Sequence, residues 1–448
     1  MGNVWTKEQQ QVIDLRGCNM LVSAAAGSGK TAVLVERIIS RIMDEKEPVD
    51  IDRLLVVTFT NAAAAEMRER ILAALEEKLE QYPENMHLQR QVTLVHHAQI
   101  TTIHSFCLEV IRNYFHTISL DPGFRIGDEG DLKLLRHDVM EQLLESEYEK
   151  ADPEFYHFAE AFAPGKSDQG LENVILQFYD FSMGYPWPRE WRQECEKAYR
   201  PGTLEEFCQA PWMAFLIRKL RLLTEDMKAQ LEEALAVAAQ PDGPWMYGEA
   251  LEQDLERLKR LEKCRDYGEY YRIFANAGSF PALSRKKDAA VSEEKKELVK
   301  EIREQVKKTW KRLEEDYFFA SPEQMMTDME KNRGMVQVLV QLTDQFQEAY
   351  ERQKADKNIV DFNDLEHYAL QILLSREGDA WVPSAAALEY ARHFQEIMID
   401  EYQDSNLVQE ILLTSVSRQS FGEHNIFMVG DVKQSIYRFR LARPELFM

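Results

Sequence analysis

A short segment near the beginning of the chain has the composition of a phosphate-binding loop. Its residues are Ala24-Ala25-Ala26-Gly27-Ser28-Gly29-Lys30-Thr31, which fit the Walker A pattern with alanine in the first glycine position. Gly27 and Gly29 allow backbone N–H groups to turn inward around phosphate oxygens, and the following helix adds a favourable dipole. Lys30 can reach the β and γ phosphates, and the Thr31 hydroxyl can bind Mg²⁺. The segment predicts a site for ATP and Mg²⁺ rather than a Gly/Ser-rich turn that only caps a helix.

Two acidic residues near the other end of the chain could complete this site. Asp400 and Glu401 directly follow the apolar run 396–399. Asp400 would hold Mg²⁺ through its water shell, and Glu401 would orient the attacking water. An Asp-Glu pair in so acidic a chain could also be an ordinary surface feature, but its place after a buried strand favours the catalytic interpretation. Because Lys30 and Asp400 are far apart in sequence, only the fold can bring them together.

The two ends of the chain show the pattern of a parallel sheet. Asn61 is the predicted N-cap of a helix over 62–79, and helical spacing of apolar residues predicts another over 31–43. Alternation of strands and helices implies a parallel sheet with right-handed crossovers. Continuous apolar runs predict buried strands at 19–23, 54–59, 100–103, 396–400 and 425–429.

The middle of the chain, from about 106 to 353, predicts helices because it is rich in Glu, Lys, Leu and Gln. We therefore expect an α/β fold in which one parallel-sheet domain is interrupted by a large all-helical insertion subdomain. The expected division is 1–115 for the first part of the ATPase domain, 116–350 for the insertion and 351–448 for the second part.

One basic helix in this middle segment has two interpretations. An apolar stripe on it consists of Leu298, Ile302, Val306 and Trp310. We favour a solvated basic face stabilised by neighbouring glutamates, and a nucleic-acid contact is the alternative. The basic residues are Lys295, Lys296, Lys300, Lys307, Lys308, Lys311 and Arg312.

The overall composition restricts the possible classes of protein. The chain has 448 residues, 45% of them hydrophobic, and a formal net charge of −23. Such a charge would repel a phosphate backbone, so any nucleic acid must bind in a local groove. The 5 cysteines are widely spaced, which argues against a zinc ribbon or disulfide framework and fits a reducing cytosol. Without an apolar run of about 20 residues or a secretory signal, we expect a soluble cytoplasmic protein with no membrane association.

Several motifs together resemble those of UvrD/RecB-type superfamily-I helicases. Residues 58–67, 400–404 and 430–440 resemble motifs Ia, II and III of that family, and Gln9 resembles the Q motif that reads adenine. This resemblance implies a RecA-like P-loop domain. A narrower resemblance, to the AddA component of AddAB-type ATP-dependent helicase–nucleases, rests on residues 103–107, 361–366 and 441–447.

The resemblance implies an ATP-dependent DNA helicase or translocase, with this chain as its N-terminal ATP-binding motor portion. The implied role is double-strand break repair and recombination on single-stranded and duplex-end DNA, as a heterodimer with an AddB-like partner. Gln434 would sense the γ phosphate and act with Lys30, Asp400 and Glu401 in hydrolysis. Aromatic residues would stack on bases without regard to sequence. The implied DNA-binding residues are Thr58, Phe59, Thr102, His104, Phe362, Tyr437, Phe439 and Arg440.

The sequence departs from the family pattern in one respect. Family members continue after motif III into a second RecA-like domain that supplies arginine fingers, and the AddA type also has a nuclease domain. We expect nuclease activity in the full-length protein, and weak ATP binding and slow hydrolysis in the chain described here. Two other functions stay open, namely a non-motor P-loop ATPase and a scaffold protein that binds nucleotide structurally. Phe59, Phe362 and Phe439 distinguish them from a motor, because only a motor needs a stacking track.

Overall fold

The computed structural model describes residues 5–25, 27–165, 167–200 and 202–434. Most strands of the chain are short and apolar. They are β1 (Met20–Ser23), β2 (Leu54–Thr58), β3 (Gln99–Thr102), β4 (Arg125–Ile126), β5 (Ile359–Val360), β6 (Leu374–Glu377), β7 (Ala380–Pro383), β8 (Glu396–Ile399) and β9 (Ile426–Gly430).

Helices make up most of the rest of the described chain. The first nine are α1 (Lys7–Asp14), α2 (Lys30–Ile42), α3 (Asn61–Gln81), α4 (Met86–Leu94), α5 (Ile103–Tyr114), α6 (Glu129–Lys150), α7 (Pro153–Phe162), α8 (Gln169–Ser182) and α9 (Pro188–Ala198). The others are α10 (Leu204–Cys208), α11 (Pro211–Ala238), α12 (Gly248–Leu261), α13 (Tyr267–Ala275), α14 (Glu293–Tyr317), α15 (Pro322–Asp356), α16 (Phe362–Leu373), α17 (Ala385–His393) and α18 (Leu407–Ser415).

A five-stranded parallel sheet in the order β1-β9-β8-β2-β3 is built from both ends of the chain. In its register Ser23 pairs with Gly430, and Thr58 pairs with Thr102. Strand β8 lies between β2 and β9, so the segment before Asp400 is central in the sheet. Because all five strands are parallel, their carboxyl ends meet at one edge, where ligands bind in open α/β sheets.

The sheet is covered by helices on both faces, which explains its continuous apolar strands. Side chains alternate along a strand. Leu54 and Val56 accordingly pack in a core with α2 and α3, whereas Leu55 and Val57 pack in a second core with α5 and α16. This arrangement confirms the predicted α/β class with a central parallel sheet and helical insertions.

The described chain forms two compact units, Met1–Arg192 with Gln341–Met448, and Gln193–Val340. The second unit has its own apolar core and a buried ion pair in which Arg303 Nε lies 2.6 Å from Asp254 Oδ2. Residues 116–192 thus belong to the first unit by their packing, although the predicted insertion begins at 116. The division into domains at 115 and 350 stays a prediction.

Several local predictions need correction. Thr60 rather than Asn61 caps α3, since its side chain accepts a hydrogen bond from Ala63 N. Ile103 begins α5 instead of ending a strand, because the Thr102 hydroxyl caps that helix. The predicted all-helical segment also contains β4, a two-residue strand that forms only by pairing with β5. Among the described residues, we find no helix long and apolar enough to cross a membrane.

The basic helix α14 has the ion pairs expected of a solvated face. Lys296, Lys300 and Lys307 each lie within 2.8 Å of a glutamate three residues earlier. The predicted apolar stripe is shifted, because Leu298 is 42% exposed whereas Val299 is buried. The charged residues on α14 are therefore consistent with the favoured interpretation.

Candidate nucleotide site and adjoining groove

The phosphate loop connects β1 to α2 through two glycines in left-handed conformations. The φ angles are +74° at Gly27 and +81° at Gly29, where L side chains are strained. Gly29 caps α2 without a side-chain hydrogen bond, so the first N–H groups of the helix point toward the loop. This is the backbone that a phosphate anion requires. Ala24, Ala25 and Ser28 lie in the same loop, and Ala26 lies outside the described residues.

Gln9 on α1 contacts the phosphate loop directly. Its Nε2 donates a hydrogen bond to Ser28 O at 3.1 Å, and its Oε1 accepts one from Thr6 N at 2.9 Å. Thr6 in turn caps α1, which fixes the position of the glutamine. The predicted adenine-reading residue is therefore placed beside the loop, and its bond to Ser28 is the one that a bound base would replace.

The fold brings the two distant halves of the predicted site together. Lys30 Nζ at the start of α2 lies 3.7 Å from Glu401 Oε2, just beyond the end of β8. Glu401 has a left-handed φ of +53°, which turns it away from the strand direction. The lysine ammonium is largely buried and makes no hydrogen bond to a described residue. A phosphate oxygen would satisfy that donor.

Asp400 has a strongly perturbed ionisation. Burial, followed by the nearby charge of Glu401, raises the pKa of Asp400 to about 6, although Glu401 N and the charge of Lys30 favour the ionised form. Thr31 and Asp400 line the same cavity of about 370 Å³, which we call the nucleotide cavity. One hydroxyl and one carboxylate are oxygen donors that Mg²⁺ accepts when phosphates and water supply the other ligands. The residues present therefore fit the ion.

A chain of hydrogen bonds connects Glu401 to the end of β9. Gln403 Nε2 donates to Glu401 Oε2 at 2.7 Å, and Gln403 Oε1 accepts from Asp431 N at 2.8 Å. Asp431 Oδ2 then accepts from Gln434 Nε2 at 2.7 Å. Gln434 lines the nucleotide cavity, as predicted. The sequence analysis did not select Gln403 and Asp431; their position directly after two buried strands was the available signal.

A second cavity of about 720 Å³ adjoins the nucleotide cavity, and we call it the groove. Predicted DNA-binding residues Phe59, His104 and Phe362 line it, and Phe362 is 57% exposed. The ring centroids of His104 and Phe362 lie 5.2 Å apart, edge to face. Both cavities share a wall formed by Thr58, Phe59, Asp400, Glu401 and Asp404.

His104 is held in the groove by a buried carboxylate. Its Nε2 lies 3.2 Å from Glu366 Oε1, which also accepts a hydrogen bond from Gln409 Nε2 at 2.7 Å. Burial alone would raise the pKa of Glu366, but the hydrogen bond and charge of His104 lower it. Glu366 was quoted only as part of a motif, and its role in positioning His104 required the structure.

Other predicted DNA-binding residues are placed differently. Thr102 is buried and its hydroxyl accepts a hydrogen bond from Ser105 N, so it is occupied as the cap of α5. Thr58 is also buried, and its hydroxyl donates to Thr60 O at 3.2 Å. Tyr437, Phe439 and Arg440 lie outside the described residues.

The parallel sheet, the phosphate loop after its first strand and the acidic pair after β8 define a P-loop nucleotide-binding protein. The model of the UvrD/REP helicase N-terminal domain matches residues 5–448. The chain belongs to this family.

Curated relatives agree with this assignment. The chain is 51% identical over 449 residues to the ATP-dependent helicase/nuclease subunit (AddA) of Lachnoclostridium phytofermentans, covering 99% of this chain and 32% of the relative. Proteins of the same name from Clostridium beijerinckii and Acetivibrio thermocellus are 44% and 42% identical, covering 100% and 99% of this chain and 36% of each relative. The chain thus spans about a third of the length of these relatives.

Proposed function

We propose that this chain is the ATP-binding motor portion of an ATP-dependent DNA helicase or translocase that acts on single-stranded DNA. The observation that carries the proposal is the wall shared by the nucleotide cavity and the groove. Phe59 faces both, and the acidic pair Asp400 and Glu401 belongs to both. A change in the nucleotide can therefore alter the groove without an intervening domain movement.

The residues of the nucleotide cavity have distinct proposed roles in hydrolysis. The phosphate loop would bind the phosphates through backbone N–H groups, and Lys30 would exchange Glu401 for the β and γ phosphates. Mg²⁺, when bound by Thr31 and Asp400, would neutralise charge on the β and γ oxygens. Glu401, oriented by its hydrogen bond from Gln403, would position the attacking water and accept its proton.

Gln434 would report the state of the γ phosphate to the rest of the site. The hydrogen bonds Gln434–Asp431–Gln403–Glu401 join the end of β9 to the acidic pair. Loss of the γ phosphate would release Gln434 and change the position of Glu401 in the shared wall. This gives a physical route from hydrolysis to the grip on DNA.

The wider role is proposed from the relatives' printed name. We propose that the complete protein is a helicase–nuclease component of the AddA type, that it works in the cytoplasm with an AddB-like partner, and that it processes duplex ends in double-strand break repair and recombination. Its nuclease activity would belong to the complete protein.

Reciprocal binding of nucleotide and DNA tests the motor. We would measure the fluorescence anisotropy of a labelled oligothymidylate with the chain, with and without Mg²⁺ and a slowly hydrolysed ATP analogue. Allosteric coupling typically changes affinity by about 5–150-fold, and we expect the analogue to change DNA affinity within this range. The Lys30→Ala variant should bind DNA but lose the response.

The result also separates the two alternatives. DNA binding that ignores the nucleotide would contradict a motor and favour a non-motor ATPase or a nucleotide-binding scaffold. Between these, ATP turnover that is lost in Glu401→Gln indicates the ATPase, whereas an assembly role unaffected by that substitution indicates the scaffold.

A further inference from the structure

The groove has a third aromatic ring that no motif indicates. Phe181, near the end of α8, lines the groove together with Phe59 and Phe362. Its side chain is 45% exposed. Single exposed apolar residues are common on protein surfaces, but this ring lies in a concave site that already contains two others.

The backbone that carries Phe181 is firmly held. The guanidinium of buried Arg192 donates to Ser182 Oγ at 2.6 Å and to Asp344 Oδ1 at 2.8 Å. His367 Nε2, on the same helix as Phe362, lies 3.1 Å from Tyr185 O. The end of α8 and the following loop are thus attached to α15 and α16. A fixed backbone reduces the entropy lost when a ligand binds to the ring.

The ring of Phe181 is also supported by other aromatic rings. Its centroid lies 5.3 Å from that of Trp191 and 5.9 Å from that of Tyr185. Tyr185 and Trp191 are themselves stacked at 4.3 Å. The exposed part of Phe181 therefore presents a supported aromatic surface to the groove.

The charge of the groove indicates which part of a nucleic acid enters it. Asp180, Glu366 and Asp400 lie in the lining, and carboxylates repel phosphates. Two of them are already paired, since Asp180 lies 3.0 Å from Arg136 and Glu366 contacts His104. Carboxylates can accept hydrogen bonds from the amino groups of bases. The lining therefore suits bases, with the phosphate backbone outside.

We infer that Phe181 is a base-stacking residue for single-stranded DNA, a third aromatic contact in the groove besides Phe59 and Phe362. The inference rests on the proposed function, because it names a further contact for the same strand. It assigns to the helical segment before α9 a direct part in holding the DNA. Stacking on Phe181 is independent of base identity, as a motor that moves along any sequence requires.

The test compares variants of this chain in oligothymidylate binding by fluorescence anisotropy. Phe181→Leu keeps an apolar side chain but removes the aromatic face, and Phe181→Trp restores an aromatic face. Phe421→Leu is the matched control, since Phe421 is 41% exposed and lies outside the groove, beside Arg392. Circular dichroism and urea unfolding check that every variant is folded.

We expect Phe181→Leu to weaken binding about 5–150-fold, which is about 1–3 kcal/mol at 1.4 kcal/mol per tenfold change. Phe181→Trp and Phe421→Leu should bind like the parent. If Phe362→Leu weakens binding but Phe181→Leu does not, the inference is wrong and the proposed function stands. If the parent does not bind single-stranded DNA, both fail.

Discussion

A buried ion-pair cluster at the beginning of α16 should determine whether Phe362 is presented correctly. Lys354 Nζ lies 2.6 Å from both carboxylate oxygens of Asp364 and 3.0 Å from Asp361 Oδ2. The two aspartates also form the capping box of α16, and the ammonium lies 4.3 Å from the ring centroid of Tyr350. The lysine side chain is only 2% exposed. The helix that carries Phe362 thus begins on this cluster.

The perturbation is Lys354→Met, which keeps much of the side-chain volume but leaves two carboxylates buried without their cation. Removing one partner of a buried ion pair typically destabilises a protein by about 3–5 kcal/mol. Since native proteins are stable by only about 5–15 kcal/mol, the loss should be obvious in urea-induced unfolding. The first turn of α16 should also lose protection from hydrogen exchange.

The loss should depend on pH in a defined direction. Burial, and then the charge of Asp361, raise the pKa of Asp364 to about 6 even with Lys354 present. A carboxyl group with a raised pKa in the fold contributes stability below its ordinary pKa, and this contribution is lost as the pH rises through about 6. Without the ammonium this penalty grows. The difference between parent and variant should therefore widen from pH 5 to pH 8.

Two further variants control the experiment. Lys354→Met combined with Asp364→Asn removes a charge from each side and should recover most of the lost stability. Lys311→Met breaks the exposed pair with Glu315 and should have no measurable effect. If Lys354→Met unfolds at the urea concentration of the parent from pH 5 to 8, the cluster does not stabilise the groove as we reason.

Two predictions concern the nucleotide cavity. Glu401→Gln should retain ATP binding but slow hydrolysis by about 10²–10⁴-fold, because general-base catalysis is lost; unchanged turnover would exclude Glu401 as the base. Gly29→Ala should weaken ATP binding measured by calorimetry, since the left-handed φ costs about 1–2 kcal/mol for an L residue and the new Cβ would lie 3.8 Å from Gln9 Nε2. Gly378→Ala, in the β6–β7 hairpin with φ +63°, imposes a similar backbone cost away from the site and should leave affinity unchanged; equal losses in both variants would mean that only general stability is affected.

Local sequence patterns were sufficient to predict the elements that carry the nucleotide cavity. The continuous apolar runs at β2 and β8 identify strands buried on both faces, and the glycines before Lys30 identify the loop. These features depend on neighbouring residues and on backbone conformation, so they can be read without the fold. Errors were confined to the ends of elements, as at Thr60 and Thr102, where a hydroxyl one residue away competes for the capping position.

The functional contacts between distant segments depended on tertiary structure. The placement of β8 between β2 and β9 brings Glu401 to Lys30, and no local pattern specifies that order of strands. The same is true of Gln403 with Asp431 and of Glu366 with His104, since each pair joins separate elements.

Phe181 illustrates the difference most clearly. In sequence it is one aromatic residue among several in a helical segment, with no spacing that separates a core position from a binding position. Its exposure and its place in the groove result from the packing of α8 against residues far along the chain, including Arg192, Asp344 and His367. Strands, phosphate loop and family can be recognised from the order of amino acids, because each depends on short-range patterns. Which side chains share a wall depends on the folded path of the whole chain, because burial and contact join residues that are hundreds of positions apart.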